Sequence, residues 1–170
     1  MKYKALMLTL VLLLPGCLDS EGEEIRFNGR NLEGSDVYMF TLEDSKGPLW
    51  NLTEQEGKVV VLAFIFTRCD NTCPVTSQNL KVVYESLTED ELTKVSFVSV
   101  TVDWRHDSPS ELNNWSDRMG YDWPHLTGAK QALDPVYENY GEFPVEQGDD
   151  SDEGSTVAHP SPTYIIDSNL

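Results

Sequence analysis

The run KVVVLAFIF, Lys58 to Phe66, constrains this chain more than any other stretch. It is nearly continuous, apolar and β-branched, the pattern of a strand buried on both faces, and such a strand needs a covering layer on each side. FTRCDNTCPVTSQNL follows: two cysteines four residues apart, then proline, then a segment in which Leu80, Val83, Tyr84 and Leu87 recur at i, i+3, i+4 and i+7. That spacing predicts one apolar face of a helix. A buried strand therefore runs directly into a cysteine pair at a helix start.

The alternation continues. VYMFTLED, Val37 to Asp44, reads as a strand, and KVSFVSVTVD, Lys94 to Asp103, as another buried one. SPSE, Ser108 to Glu111, is a capping box with proline at the first helical position; it heads a helix whose stripe is Leu112, Trp115 and Met119. A short helix is expected from Asp134-Pro135 to near Gly141, and TYIID, Thr163 to Asp167, as a last strand. This order specifies an α/β fold with a largely parallel central sheet flanked by helices. Between the last helix and the last strand, EQGDDSDEGS carries five acids from Glu146 to Glu153 and reads as a mobile, solvated loop.

The N-terminus begins with two lysines and an apolar run from Ala5 to Leu14. A span needs about 20 residues, so residues 1–16 read as an export signal. The ending LLPGC is similar to the lipobox of prokaryotic lipoproteins, which implies cleavage before Cys17 and a lipid on that residue. Residues 17–35 are polar, acidic and glycine-bearing, a flexible tether that buries too little to order itself, and the folding domain is expected over 36–170. The whole chain carries 12 basic against 29 acidic side chains, a formal net charge of −17; losing residues 1–16 removes two lysines and makes it −19. Nucleic acid is excluded as a partner, because phosphate binding needs a basic stripe. The expected place is the extracytoplasmic face of the cell membrane.

Cys69 stands just past the buried strand and Cys73-Pro74 opens the helix, the position at which open α/β sheets bind ligands. Unpaired N–H groups and the helix dipole favour a thiolate there, so one of the two sulfurs is expected to lose its proton easily. The spacing suits a reversible disulfide, a structural disulfide, or joint ligation of a soft metal ion. Structural zinc and iron–sulfur clusters want about four ligands, whereas Cu(I) is satisfied by two or three soft ones. Three histidines are available. His159, in AHPSPTYIID, enters the last strand, which in a thioredoxin-like topology lies beside the dithiol; Pro162 occupies the place where such folds often carry a cis-proline. His125, in WPHLTG, reads as a partly buried turn residue and His106, in DWRHDSP, as a surface residue before the helix cap.

FTRCDNTCP, TVDWRHDSP and AHPSPTYIID, in this order and at these separations, resemble the Sco/SenC family of thioredoxin-fold copper-binding proteins over roughly Val37 to Leu170. The resemblance implies a thioredoxin-like domain with a mainly parallel sheet, one strand and one helix short at its C-terminus. It implies copper, as Cu(I) or Cu(II), held by Cys69, Cys73 and His159, with Asp103 as an auxiliary residue. It further implies a membrane-anchored protein that supports assembly of the dinuclear copper site of cytochrome c oxidase, with a copper-accepting subunit of a haem-copper oxidase as partner. Two functions stay open. One is a metallochaperone, without substrate turnover; the other is a thiol-disulfide oxidoreductase whose redox dithiol is Cys69 and Cys73. A peroxidase reading would not need His159.

Overall fold

In chain order the elements are β1 (Thr41–Asp44), β2 (Leu49–Asn51), a 3-10 turn (Leu52–Gln55), β3 (Val59–Ile65), α1 (Thr72–Ser86), α2 (Glu89–Leu92), β4 (Val95–Thr101), α3 (Pro109–Met119), β5 (His125–Thr127), α4 (Lys130–Asn139), β6 (Val145–Gln147), β7 (Thr156–Ala158) and β8 (Thr163–Ile166). They come from a computed structural model that describes residues 29–32, 36–69, 72–147 and 156–170. The expected signal, Cys17, most of the tether and the acidic loop at 148–155 lie outside the described residues. Asp36–Leu170 form one unit. Among the described residues no helix is long and apolar enough to cross a membrane.

Six strands make one sheet in the order β2-β1-β5-β4-β3-β8. The three central strands run parallel, β3 with β4 and β4 with β5. Antiparallel pairing takes over towards both edges: β8 against β3, and β1 against β5 and β2. β3 sits inside, with Val60 to Ile65 all buried, as its continuous apolar run requires. Phe64 meets Tyr137 of α4, whereas Phe97, in register with Val61, meets Tyr84 of α1. Residues 61 and 64 project to opposite faces of a strand, so helices cover the sheet on both sides.

Local signals explain most boundaries. Ser108 accepts the Glu111 N–H at 3.2 Å to cap α3, and Gly120, at φ 66°, ends that helix in the left-handed region. Of VYMFTLED only Thr41–Asp44 forms a strand, paired with the three-residue β2 that is too short to show alternation. The expected helix start at Asp134-Pro135 is corrected: α4 begins at Lys130 and holds Pro135 in its interior. Its buried residues Leu133, Val136 and Tyr137 begin before the proline, and the Lys130–Asp134 ion pair spans the turn at 2.7 Å. Packing of that stripe outweighs the missing N–H.

His125 is also corrected, from a partly buried turn residue to a fully buried member of β5. Trp115, Tyr121 and Trp123 surround its ring at centroid distances of 5.3, 6.3 and 5.6 Å, and neither ring nitrogen makes a hydrogen bond of good geometry. Burial pushes its pKa down from 6.5 to about 3, with nearby Lys46 acting in the same direction. The unfolded chain therefore gains a proton below about pH 6.5 that the folded chain refuses until about pH 3, and stability drains away as pH falls through that window. His125→Leu should remove this contribution, so that the variant's stability relative to the parent rises on going from pH 6.5 to pH 4. Urea denaturation across that range measures it.

Candidate metal and dithiol site

Topology gathers the site. β3 and β4 are parallel, so the segments leaving them, Phe66–Cys69 and Val102–Asp107, emerge at one end of the sheet. β8 runs antiparallel to β3 with Thr163 opposite Ala63, so the chain entering β8 passes that same end. The β6–β7 pair adds a second constraint. Val145 faces Ala158 across it, which brings the end of α4 beside His159.

Cys69 and Cys73 are free thiols, Cys69 partly exposed and Cys73 only 1% exposed. The Cys73 N–H, in the first turn of α1, donates to Cys69 Sγ at 3.3 Å. Pro74 is the third residue of that helix, still within the turn whose N–H groups have no helical acceptor. His159 Nε2 lies 3.8 Å from Cys73 Sγ, and its Nδ1 lies 3.1 Å from Glu142 Oε2. The side chains of His159 and Glu142 are 3% and 0% exposed, and Phe66 packs edge-on against the imidazole at 5.8 Å. Cysteine and histidine ligands at about 2.0–2.3 Å from a common metal ion lie about 3.5–3.8 Å apart, so the Cys73–His159 separation fits two ligands of one ion. Among the described residues no three Cys, His, Asp or Glu side chains stand close enough together to hold a metal ion as they are placed. Two free thiols and an imidazole form a soft donor set of the kind Cu(I) accepts.

The expectation of an easily ionised sulfur fails for Cys73. Burial pushes its thiol well above the ordinary value, and the hydrogen bond with the Cys69 sulfur adds to the rise. At a helix start the dipole favours a thiolate, but here desolvation is the larger effect. All described peptide bonds are trans, that before Pro162 included.

Asp103 is buried. It binds Arg68, the neighbour of Cys69, at 2.8 Å and meets His106 Nδ1 at 2.8 Å. His106 is thereby drawn from the open surface into a cluster, with its Nδ1 2.7 Å from the Arg68 guanidinium. Two residues that sequence reasoning passed over matter as much. Asp107, fully buried, accepts the Thr67 N–H at 3.1 Å and the hydroxyls of Thr67 and Thr101, which fixes the approach to Cys69. Glu142 holds His159. The only hint of Asp107 is its place before the α3 cap; Glu142 follows Gly141, the residue that stops α4.

A cleft of about 320 Å³ is lined by the apolar side chains Trp104, Phe143, Pro144 and Val145 together with the charged Lys130, Asp134, Glu138 and Glu142.

Comparison with known proteins points one way. The SCO2-like protein of Rickettsia felis is 29% identical over 131 residues, covering 76% of this chain and 63% of that protein, so the chain spans less than two thirds of this relative's length. Bradyrhizobium japonicum ScoI with copper bound aligns with a TM-score of 0.71 at 22% identity, covering 78% of this chain and 83% of that one. BsSco, a member of the Sco family of cytochrome c oxidase assembly proteins in which a disulfide switch is identified, aligns with a TM-score of 0.60 at 25% identity over 79% of this chain and 78% of its own. The SCO1/SenC family model matches residues 31–170, and with the mixed sheet, the dithiol and the adjoining imidazole in place, the chain belongs to the SCO1/SenC family.

Proposed function

We propose that the chain is a copper carrier in which Cys69, Cys73 and His159 hold one copper ion and pass it to the dinuclear copper site of a cytochrome c oxidase, from a position on the extracytoplasmic membrane face fixed by a lipid on Cys17. The observation that carries this reading is the 3.8 Å approach of His159 Nε2 to the Sγ of a free, buried Cys73. Cys73 binds as a thiolate, so loading the site must expel its proton. Burial raises the cost of that charge, and the cation offsets it. Cys73 and His159 are the inner ligands and the more exposed Cys69 the outer one. An acceptor thiolate or imidazole therefore enters beside Cys69 and exchanges with it first. The cleft around Trp104 and Phe143 borders Glu142, the partner of His159, and offers that acceptor a surface of mixed apolar and charged side chains.

The unequal exposure also favours a second reading, thiol-disulfide exchange. Cys69 would attack a target disulfide, releasing one target thiolate, and Cys73 would then close the Cys69–Cys73 disulfide, releasing the other. The two electrons come from the dithiol.

Titration decides between them. The reduced chain should take up one copper per molecule, and Cys69→Ser/Cys73→Ser should take up none. In a host short of copper the same double variant should fail to support oxidase assembly. Copper uptake by the double variant equal to that of the parent sinks the carrier reading.

A further inference from the structure

We infer that Glu142 is the positioning residue of the copper site: its carboxylate holds the His159 ring by Nδ1–H and so keeps Nε2 bare and turned towards Cys73. The inference rests on the three-ligand reading above.

Local folding places Glu142 unusually. The Glu142 N–H donates to the Tyr137 carbonyl at 2.8 Å and the Gly141 N–H to that of Glu138 at 3.4 Å, while Gly141 takes φ 68°. These are the bonds of a Schellman end to α4, a motif whose last residue commonly makes an apolar contact back to the helix. Here that inward position holds a carboxylic acid with no exposure. Its Oε2 meets His159 Nδ1 at 3.1 Å, and its Oε1 has no hydrogen-bond partner.

Stability does not account for such a residue. A buried carboxyl with one oxygen unused costs free energy, and replacing a buried pair as a whole by well-packed apolar side chains is often neutral or stabilising. Ligand chemistry accounts for it. A neutral imidazole offers metal the nitrogen that lacks the proton, so binding through Nε2 requires the proton on Nδ1 and an acceptor to keep it there. Glu142 supplies that acceptor before any ion arrives. Phe66, edge-on to the ring at 5.8 Å, limits its tilt, and the Val145–Ala158 register fixes the distance between the two backbones.

The test uses two variants of the full, reduced chain. Glu142→Gln keeps an acceptor for Nδ1–H, and Glu142→Met keeps the bulk and removes it. Nitrogen-15 ring shifts of His159 in the metal-free chain should show the proton on Nδ1 in the parent and in Glu142→Gln, and its displacement towards Nε2 in Glu142→Met. Copper affinity, measured by competition with a chelator, should fall about 10–100-fold in Glu142→Met and stay close to the parent in Glu142→Gln. A parent ring protonated on Nε2 overturns the inference, as does a Glu142→Met chain with unchanged ring shifts and affinity. Should Glu142→Met fail to fold, the parent's ring shifts decide alone. A His159→Ala chain that binds copper as tightly as the parent instead removes the three-ligand reading, whatever Glu142 does.

Discussion

His159→Ala should weaken copper binding by the reduced chain more than about 100-fold, at least about 2.7 kcal/mol, while Cys69 and Cys73 still close to a disulfide. Removing a residue that only orients a ligand costs about 10–100-fold, and removing the ligand itself must cost more. The disulfide needs only the two sulfurs, which the loop and the first turn of α1 already bring together. A second consequence follows from burial. Without the imidazole, Glu142 remains fully buried with neither oxygen satisfied, and breaking a buried pair in this way costs about 3–5 kcal/mol. At roughly 2–4 °C per kcal/mol for a chain of this size, thermal unfolding should move down by about 10 °C. His159→Ala/Glu142→Met separates the effects, because it removes the stranded carboxyl: stability should return and copper affinity should not. Recovery of both would show that the single variant lost copper through misfolding, and would strike His159 from the ligand set.

Much of this arrangement is legible in the sequence because it is local. KVVVLAFIF announces a strand buried on both faces, SPSE a helix start, and the four-residue spacing of Cys69 and Cys73 a pair of sulfurs at one end of the sheet. His159 is legible for a topological reason, since the strand it precedes must return past the dithiol. What escapes is contact between distant segments. Asp107 reaches Thr67 forty residues earlier, and Glu142 reaches His159 across a strand pair whose register no periodicity reveals. An easily ionised thiol, expected at one of the two cysteines, is not found at Cys73 for a related cause: the helix start is local, but the burial that outweighs it is not. Pro135 misleads because the bias against helix before proline is a local preference, and the buried stripe from Leu133 to Tyr137 overrides it.

Asp107→Ala should be the most damaging substitution away from the ligands. It leaves the Thr67 N–H and the hydroxyls of Thr67 and Thr101 without their acceptor, and stranded buried donors cost about 1–3 kcal/mol each. A loss on the order of 4 kcal/mol is a large part of the about 5–15 kcal/mol that holds an ordinary domain together. The carboxyl also gives stability a pH dependence of known sign. Burial, only partly countered by the bonds from Thr101 and Thr67, raises it from 3.8 to about 6, and neighbouring Asp103 adds to the rise. Between about pH 4 and pH 6 the folded chain keeps a proton that the unfolded chain has released, so this group favours folding less as pH rises, by about 3 kcal/mol over the window. His125 acts oppositely over the same interval, its folded form refusing a proton that the unfolded form accepts. The two slopes offset each other in the parent. Each single variant should therefore unmask the other group: Asp107→Asn should gain stability, relative to the parent, as pH rises from 4 to 6, and His125→Leu should lose it. Urea denaturation at several pH values reads both differences directly. Variants whose stabilities differ from the parent by the same amount at every pH would show that neither buried group titrates as its surroundings require.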